Sequence, residues 1–94
     1  MEIIYGRFVW DFDKEQENIQ KHGIDFVLAS QVFDDSERQI FIDSKHSIFE
    51  ERFFCIGRAG EQIMTVRFTY RGDQIRIIGA GYWRRGKAYY EEKN

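Results

Sequence analysis

Proline is absent from these 94 residues and cysteine occurs once. The first absence leaves no proline-rich linker or polyproline recognition segment. The second excludes an intrachain disulfide framework. Cys55 lies inside Phe53-Phe54-Cys55-Ile56, where a packed thiol is a plainer reading than a nucleophile and fits a reducing compartment. No run approaches the roughly 20 apolar residues that span a bilayer, and Met1–Trp10 carries neither a long apolar stretch nor a basic leader. The expectation is a cytoplasmic chain with no membrane partner. His22, His46 and Cys55 fall at no zinc-site spacing, and Gly79-Ala80-Gly81 lacks the lysine of a phosphate-binding loop. A serine triad has no local signature either, so neither metal nor cofactor is expected.

What is present is aromatic and charged. With 43% apolar residues and 17% aromatic ones, the chain reads as one packed domain over residues 1–94, its core built largely from rings. The net charge of -2 is unevenly spread. Residues 1–62 hold 7 Lys/Arg against 13 Asp/Glu, whereas residues 63–94 hold 7 against 3. Polyanion binding therefore belongs to the last third.

Hydrophobic periodicity predicts an α+β order, β-α-α followed by an antiparallel meander and a short C-terminal helix. Ile3–Trp10 reads as one strand. A mostly polar helix follows over about 14–22, with Asp11 or Asp13 at its start, Gly23 at its stop and Ile19 as its main apolar contact. Asp25 caps a second helix whose Phe26, Ala29, Val32 and Phe33 share a face. Strands are expected from Glu37 to Asp43 and over Arg52–Arg58, Ile63–Arg71 and Gln74–Ala80, with a polar loop at Ser44–Phe49. Gly86 weakens the tail helix.

Gly72-Asp73 is the most informative turn. A two-residue loop with glycine first suits a type II′ hairpin, which sets Arg71 opposite Gln74, Thr69 opposite Arg76 and Arg67 opposite Ile78. Met64, Val66, Phe68, Tyr70, Ile75 and Ile77 then form the core face. Thr65, Arg67, Thr69, Arg71 and Arg76 form the other, bringing three guanidinium groups onto neighbouring strands. Such groups stay charged and grip two phosphate oxygens at once, which suits RNA cleavage by a 2′-hydroxyl attacking the adjacent phosphorus. A solvated sheet face, its arginines paired with carboxylates of the helical hairpin, explains the same residues equally well.

Proton transfer needs another group, and Lys21, His22, His46, Glu51 or a tail tyrosine are available. Lys21 and His22 also simply complement the helix dipole. His46-Ser47 with Glu50-Glu51-Arg52 reads either as an acid–base cluster or as a turn with Arg52 bridging to a carboxylate. Trp10 and Phe33 read as core anchors. Trp83 and Tyr89, among Arg84, Arg85 and Lys87, suit stacking on bases or packing on a partner.

Several of these residues recur in one order. Trp10-Asp11-x-x-Lys14, Asn18, Lys21-His22-Gly23, Phe26, Ala29, Val32-Phe33 and Asp35 resemble the N-terminal signature of the BrnT toxin family. Asp43, His46-Ser47, Glu50-Glu51-Arg52, Ile56-Gly57, Arg71 and Arg76-Ile77-Ile78 continue the likeness. The resemblance implies a RelE-like fold and the toxin half of a type II toxin–antitoxin pair, inhibiting translation by ribonuclease-like action on RNA, free or on the ribosome. It also implies a ribbon-helix-helix antitoxin as partner, with operator DNA met only through that antitoxin. Family members commonly carry Arg-Ile-Ile-Ser-Ala-Arg-Arg, then a Glu-Arg pair before a tyrosine. Here Gly79 replaces the serine, Gly81 the first following arginine, and Lys87-Ala88 stands near the lost pair.

Two hypotheses follow. In one, the chain is an active metal-independent endoribonuclease. Lys21, Arg71 and Arg76 are then catalytic, and Arg67, Arg84, Arg85, Tyr89 and Tyr90 bind RNA. In the other, it is a non-catalytic module that binds the antitoxin and takes part in operon repression.

Overall fold

Two-residue turns that open on glycine organise the sheet. In the computed structural model, which describes residues 1–94, Gly72 adopts φ 60° between β5 (Gln62–Arg71) and β6 (Gln74–Gly81). Arg71 pairs with Gln74 and Thr69 with Arg76, as the turn predicts. Tyr5-Gly6-Arg7-Phe8 carries the same signal, and Gly6 has φ 59°. The expected single strand over Ile3–Trp10 is therefore a hairpin of β1 (Glu2–Tyr5) and β2 (Phe8–Asp11). Positive φ is nearly free for glycine and costly for other residues, so both turns are fixed locally.

With β3 (Gln39–Ile42) and β4 (Phe53–Ala59), the sheet has six strands in the order β1-β2-β6-β5-β4-β3. It is mixed and not purely antiparallel, because β2 runs parallel to β6 through Phe8↔Ile75 and Val9↔Arg76. A bulge between Arg67 and Phe68 corrects the expected register. Gly79 lies opposite Arg67, and Ile78 is the extra residue.

Helix α1 (Phe12–His22) starts two residues earlier than expected, because the Asp11 carboxylate accepts the Lys14 N–H at 3.1 Å. Gly23, at φ 69°, ends it as predicted. Its anchor is polar: Ile19 is exposed, while buried Asn18 donates to Ile24 O and accepts the Ala80 N–H of β6. Glu15 adds bonds from Trp10 Nε1 and the Phe26 N–H. Asp25 caps α2 (Phe26–Ser30), which runs into a 3₁₀ turn at Gln31–Asp34.

These helices bury Trp10, Phe26, Val32 and Phe33 against Met64, Val66, Phe68 and Ile77. Tyr70, expected in this core, is exposed at the end of β5 beside Phe53. Helix α3 (Arg84–Lys93) covers part of the opposite face over β4 and β5. Gly86 in its first turn, the residue that weakens the helix by propensity, is required by packing. A Cβ there would stand 2.1 Å from Thr65 Oγ1.

Candidate functional site

Alternation along the strands puts Thr65, Arg67, Thr69, Arg71 and Arg76 on the face opposite the helical core, as their spacing predicts. Thr65 lies under α3, and Thr69 is buried by the 43–52 loop, donating from Oγ1 to Glu51 O at 2.6 Å. Arg71 and Arg76 stay together at the open end of that face. They line a cavity of about 230 Å³ with Asp11, Lys14, Glu50, Arg52 and Ile78. Lys14 belongs to the first turn of α1, which the early Asp11 cap swings to the cavity mouth. The same cap hydrogen bond, chiefly, holds the Asp11 carboxyl below its usual value, so Asp11 is an anion there.

Four cations thus face Asp11 and Glu50 across one cavity. Both arginines have carboxylate neighbours: Arg71 lies 3.3 Å from Glu50 and Arg76 pairs with Glu2. Neither acid comes from the helical hairpin, and both keep solvent contact. Ion pairs of this kind contribute about 0–1 kcal/mol, less than a bidentate pair of a guanidinium with the two non-bridging oxygens of a phosphodiester. Arg52 sits 3.6 Å from Glu50, its Nε buried without a hydrogen-bond partner.

Arg67 differs from its neighbours. It has no carboxylate partner, and its buried Nε is likewise unmatched. The guanidinium lies flat over Gly79, where an added Cβ would stand 2.9 Å from Nη2. The glycine that departs from the family pattern is thus the space this arginine occupies. Gly81 plays the same part for Trp83, whose indole would meet a Cβ there at 2.7 Å.

Lys21, expected to be catalytic, is exposed in the last turn of α1, two helical turns from Lys14, and lines none of the three principal cavities. Neighbouring His22 packs its ring edge on Trp83 at 5.6 Å. His46 sits in a 3₁₀ turn at Ser44–His46, its Nδ1 2.8 Å from the Asp43 carboxylate. Asp43 is only 6% exposed. The loop closes through Asp43 N–H to Arg52 O and Arg52 N–H to Ser47 Oγ, so one loop carries His46, Glu50 and Arg52.

The basic and aromatic tail, read as one RNA-binding segment, is divided by the helix it forms. Arg84 and Lys87 flank a cavity with Arg58 and Glu61, while Arg85 and Tyr89 border another under α3. Tyr90 does neither. It is 2% exposed, packs with Ile56 and Ile63, and donates its hydroxyl to Asp35 at 2.5 Å. Burial, then the Asp35 anion, pushes its phenol up to about 12. Burial also works to raise the Asp35 pKa, but hydrogen bonds from the Tyr90 hydroxyl and the Glu37 and Arg58 N–H groups outweigh it and leave that pKa lowered. Tyr90 is therefore a tether for α3 and not a stacking surface.

Sequence reasoning missed Lys14, Arg52 and the carboxylates Glu2 and Glu50. Only the Glu50-Glu51-Arg52 cluster gave a local hint of them.

The cavity gathers four cations and two carboxylates on a sheet with helices on both faces, and no helix is long and apolar enough to cross a membrane. No curated protein matches the chain. Residues 10–86, which carry the core helices, the whole lining of the cavity and the start of α3, match the family described as ribonuclease toxin, BrnT, of type II toxin-antitoxin system, and the chain belongs to that family.

Proposed function

We propose that this toxin cleaves RNA without a metal in the cavity of Arg71 and Arg76, on a RelE-like scaffold that is a single domain. The carrying observation is the convergence of Lys14, Arg52, Arg71 and Arg76 on one cavity. A phosphate entering it displaces Glu50 and Glu2 from weak pairs and receives guanidinium forks in return. The 2′-oxygen then bonds to phosphorus as the P–O5′ bond breaks, giving a 2′,3′-cyclic phosphate and a 5′-oxygen that takes a proton from water to become a hydroxyl. Charge building on the phosphoryl oxygens is met by cations that need no rearrangement.

We assign the proton-acceptor role to His46, which shares the 43–52 loop with Glu50 and Arg52 of the cavity. Asp43 holds the proton on Nδ1 and leaves Nε2 without a hydrogen bond. Lys21 keeps the helix-dipole role. The cellular reading is inhibition of translation in the cytoplasm, on free or ribosome-bound RNA. A ribbon-helix-helix antitoxin silences the toxin and joins it to operator DNA.

One observation favours the non-catalytic alternative: Arg71 and Arg76 are both paired with acids in the free chain. Induced expression with and without the antitoxin, followed by RNA end mapping, separates the two. New RNA ends are expected with wild type and at least a hundredfold fewer with Arg71→Ala, about the loss when one charge-stabilising donor is removed. A wild type that binds antitoxin tightly yet makes no new ends leaves only the binding module.

A further inference from the structure

A second cavity, of about 540 Å³, opens on the arginine face between α3 and strands β3 and β4. Its walls are rings: Phe41, Phe54, Trp83 and Tyr89. Phe41 lies 5.2 Å from Phe54 and 5.3 Å from Tyr89, at inclinations of 35° and 49°. The rings leave an open side where Arg85 stands with no carboxylate partner. Thr65 lies at the floor, 5% exposed, with a buried hydroxyl that has no hydrogen-bond partner. Phe54 is the cross-strand neighbour of Arg67, the guanidinium on this face that no acid neutralises. The Arg67 guanidinium itself leans the other way, over Gly79 of β6, so Arg85 is the cation at the aromatic walls.

We propose that this cavity is a nucleobase subsite, in which a base next to a bound phosphate stacks against Tyr89 and Trp83 while its backbone lies on Arg85 at the open side. The inference rests on the reading of the chain as an RNA-cleaving toxin and adds where a base is held. A nucleotide presents the π-faces of its base to the aromatic walls and its phosphate charge to the unpaired Arg85 guanidinium. An aliphatic side chain of a protein partner would fill the walls but leave the Arg85 charge unmatched. The chain departs from the family pattern at Gly79 and Gly81, where Arg67 and Trp83 are seated.

Trp83 makes the test direct, since Trp10 is buried on Glu15. The full chain is titrated with a short 2′-deoxy oligonucleotide, which cannot be cleaved, and with an abasic strand of equal phosphate number. The base-bearing strand is expected to quench a fluorescence signal that Trp83→Phe removes. Tyr89→Leu should weaken that strand about tenfold and leave the abasic strand unchanged. Retained abasic binding also shows that the variant is folded. Equal loss on both strands, or on neither, overturns the subsite. So does a Tyr89→Leu chain that loses affinity for antitoxin alone. If wild type binds neither strand, the RNA reading itself falls and takes the subsite with it.

Discussion

The two halves of the arginine face share strands and periodicity yet are built for different ends. Over β4 and the start of β5, α3 closes the face with Ile56, Ile63 and Tyr90, and the Tyr90 hydroxyl is satisfied internally by Asp35. Over the end of β5 and β6, no element covers the face, and its cations meet carboxylates that remain in solvent. A buried hydrogen bond to an ion contributes about 1.5–3 kcal/mol, against about 0–1 for an exposed pair. Stability is therefore concentrated under α3, and exchangeable charge beside it.

Asp35→Ala should break that contrast most severely. The carboxylate accepts from Glu37 N–H, Arg58 N–H and Tyr90 Oη at 2.9, 2.8 and 2.5 Å. Losing all three is expected to cost on the order of 3 kcal/mol in denaturant unfolding. A change under about 1 kcal/mol would show that the tether is dispensable.

The alkaline limb tests the same tether more gently. The Tyr90 phenol is raised from 10.0 to about 12. The folded state therefore favours its protonated form, and that stabilisation is complete below pH 10 and lost as pH rises toward 12. Difference absorbance should show one of the five tyrosines titrating late, and Tyr90→Phe should remove that late step. Absence of that late step in wild type would mean that the hydroxyl is not held by Asp35.

Glu50→Gln should have the smallest effect on the fold. It removes the acid beside Arg71 and Arg52 and is expected to change stability by less than about 1 kcal/mol. Freed of competition, the cavity should bind a phosphate-bearing strand severalfold more tightly at low salt, with the gain fading as salt rises. Weaker binding would mean that Glu50 orders the arginines more than it neutralises them.

Residues that act through their neighbours in sequence were legible without coordinates. Gly23 and Asp25 fix helix ends, and Gly72-Asp73 fixes the β5–β6 register and hence the shared face of Arg71 and Arg76. Gly6-Arg7 carries the same signal, but the apolar run around it reads equally well as one strand. The bulge at Ile78 was not legible, because it depends on what Arg67 and Gly79 do across the pair. Nor was the burial of Tyr90, whose partner Asp35 is 55 residues away.

Local chemistry by itself determined the helix caps, the hairpin turns, the inward and outward faces of the long strands and the basic character of the last third. The tertiary structure alone decided which cations meet. Lys14 from the first helix, Arg52 from a loop and Glu2 from an edge strand reach Arg71 and Arg76 only because a mixed sheet inserts β6 between β2 and β5. Charges act through space, and sequence distance carries no information about that separation.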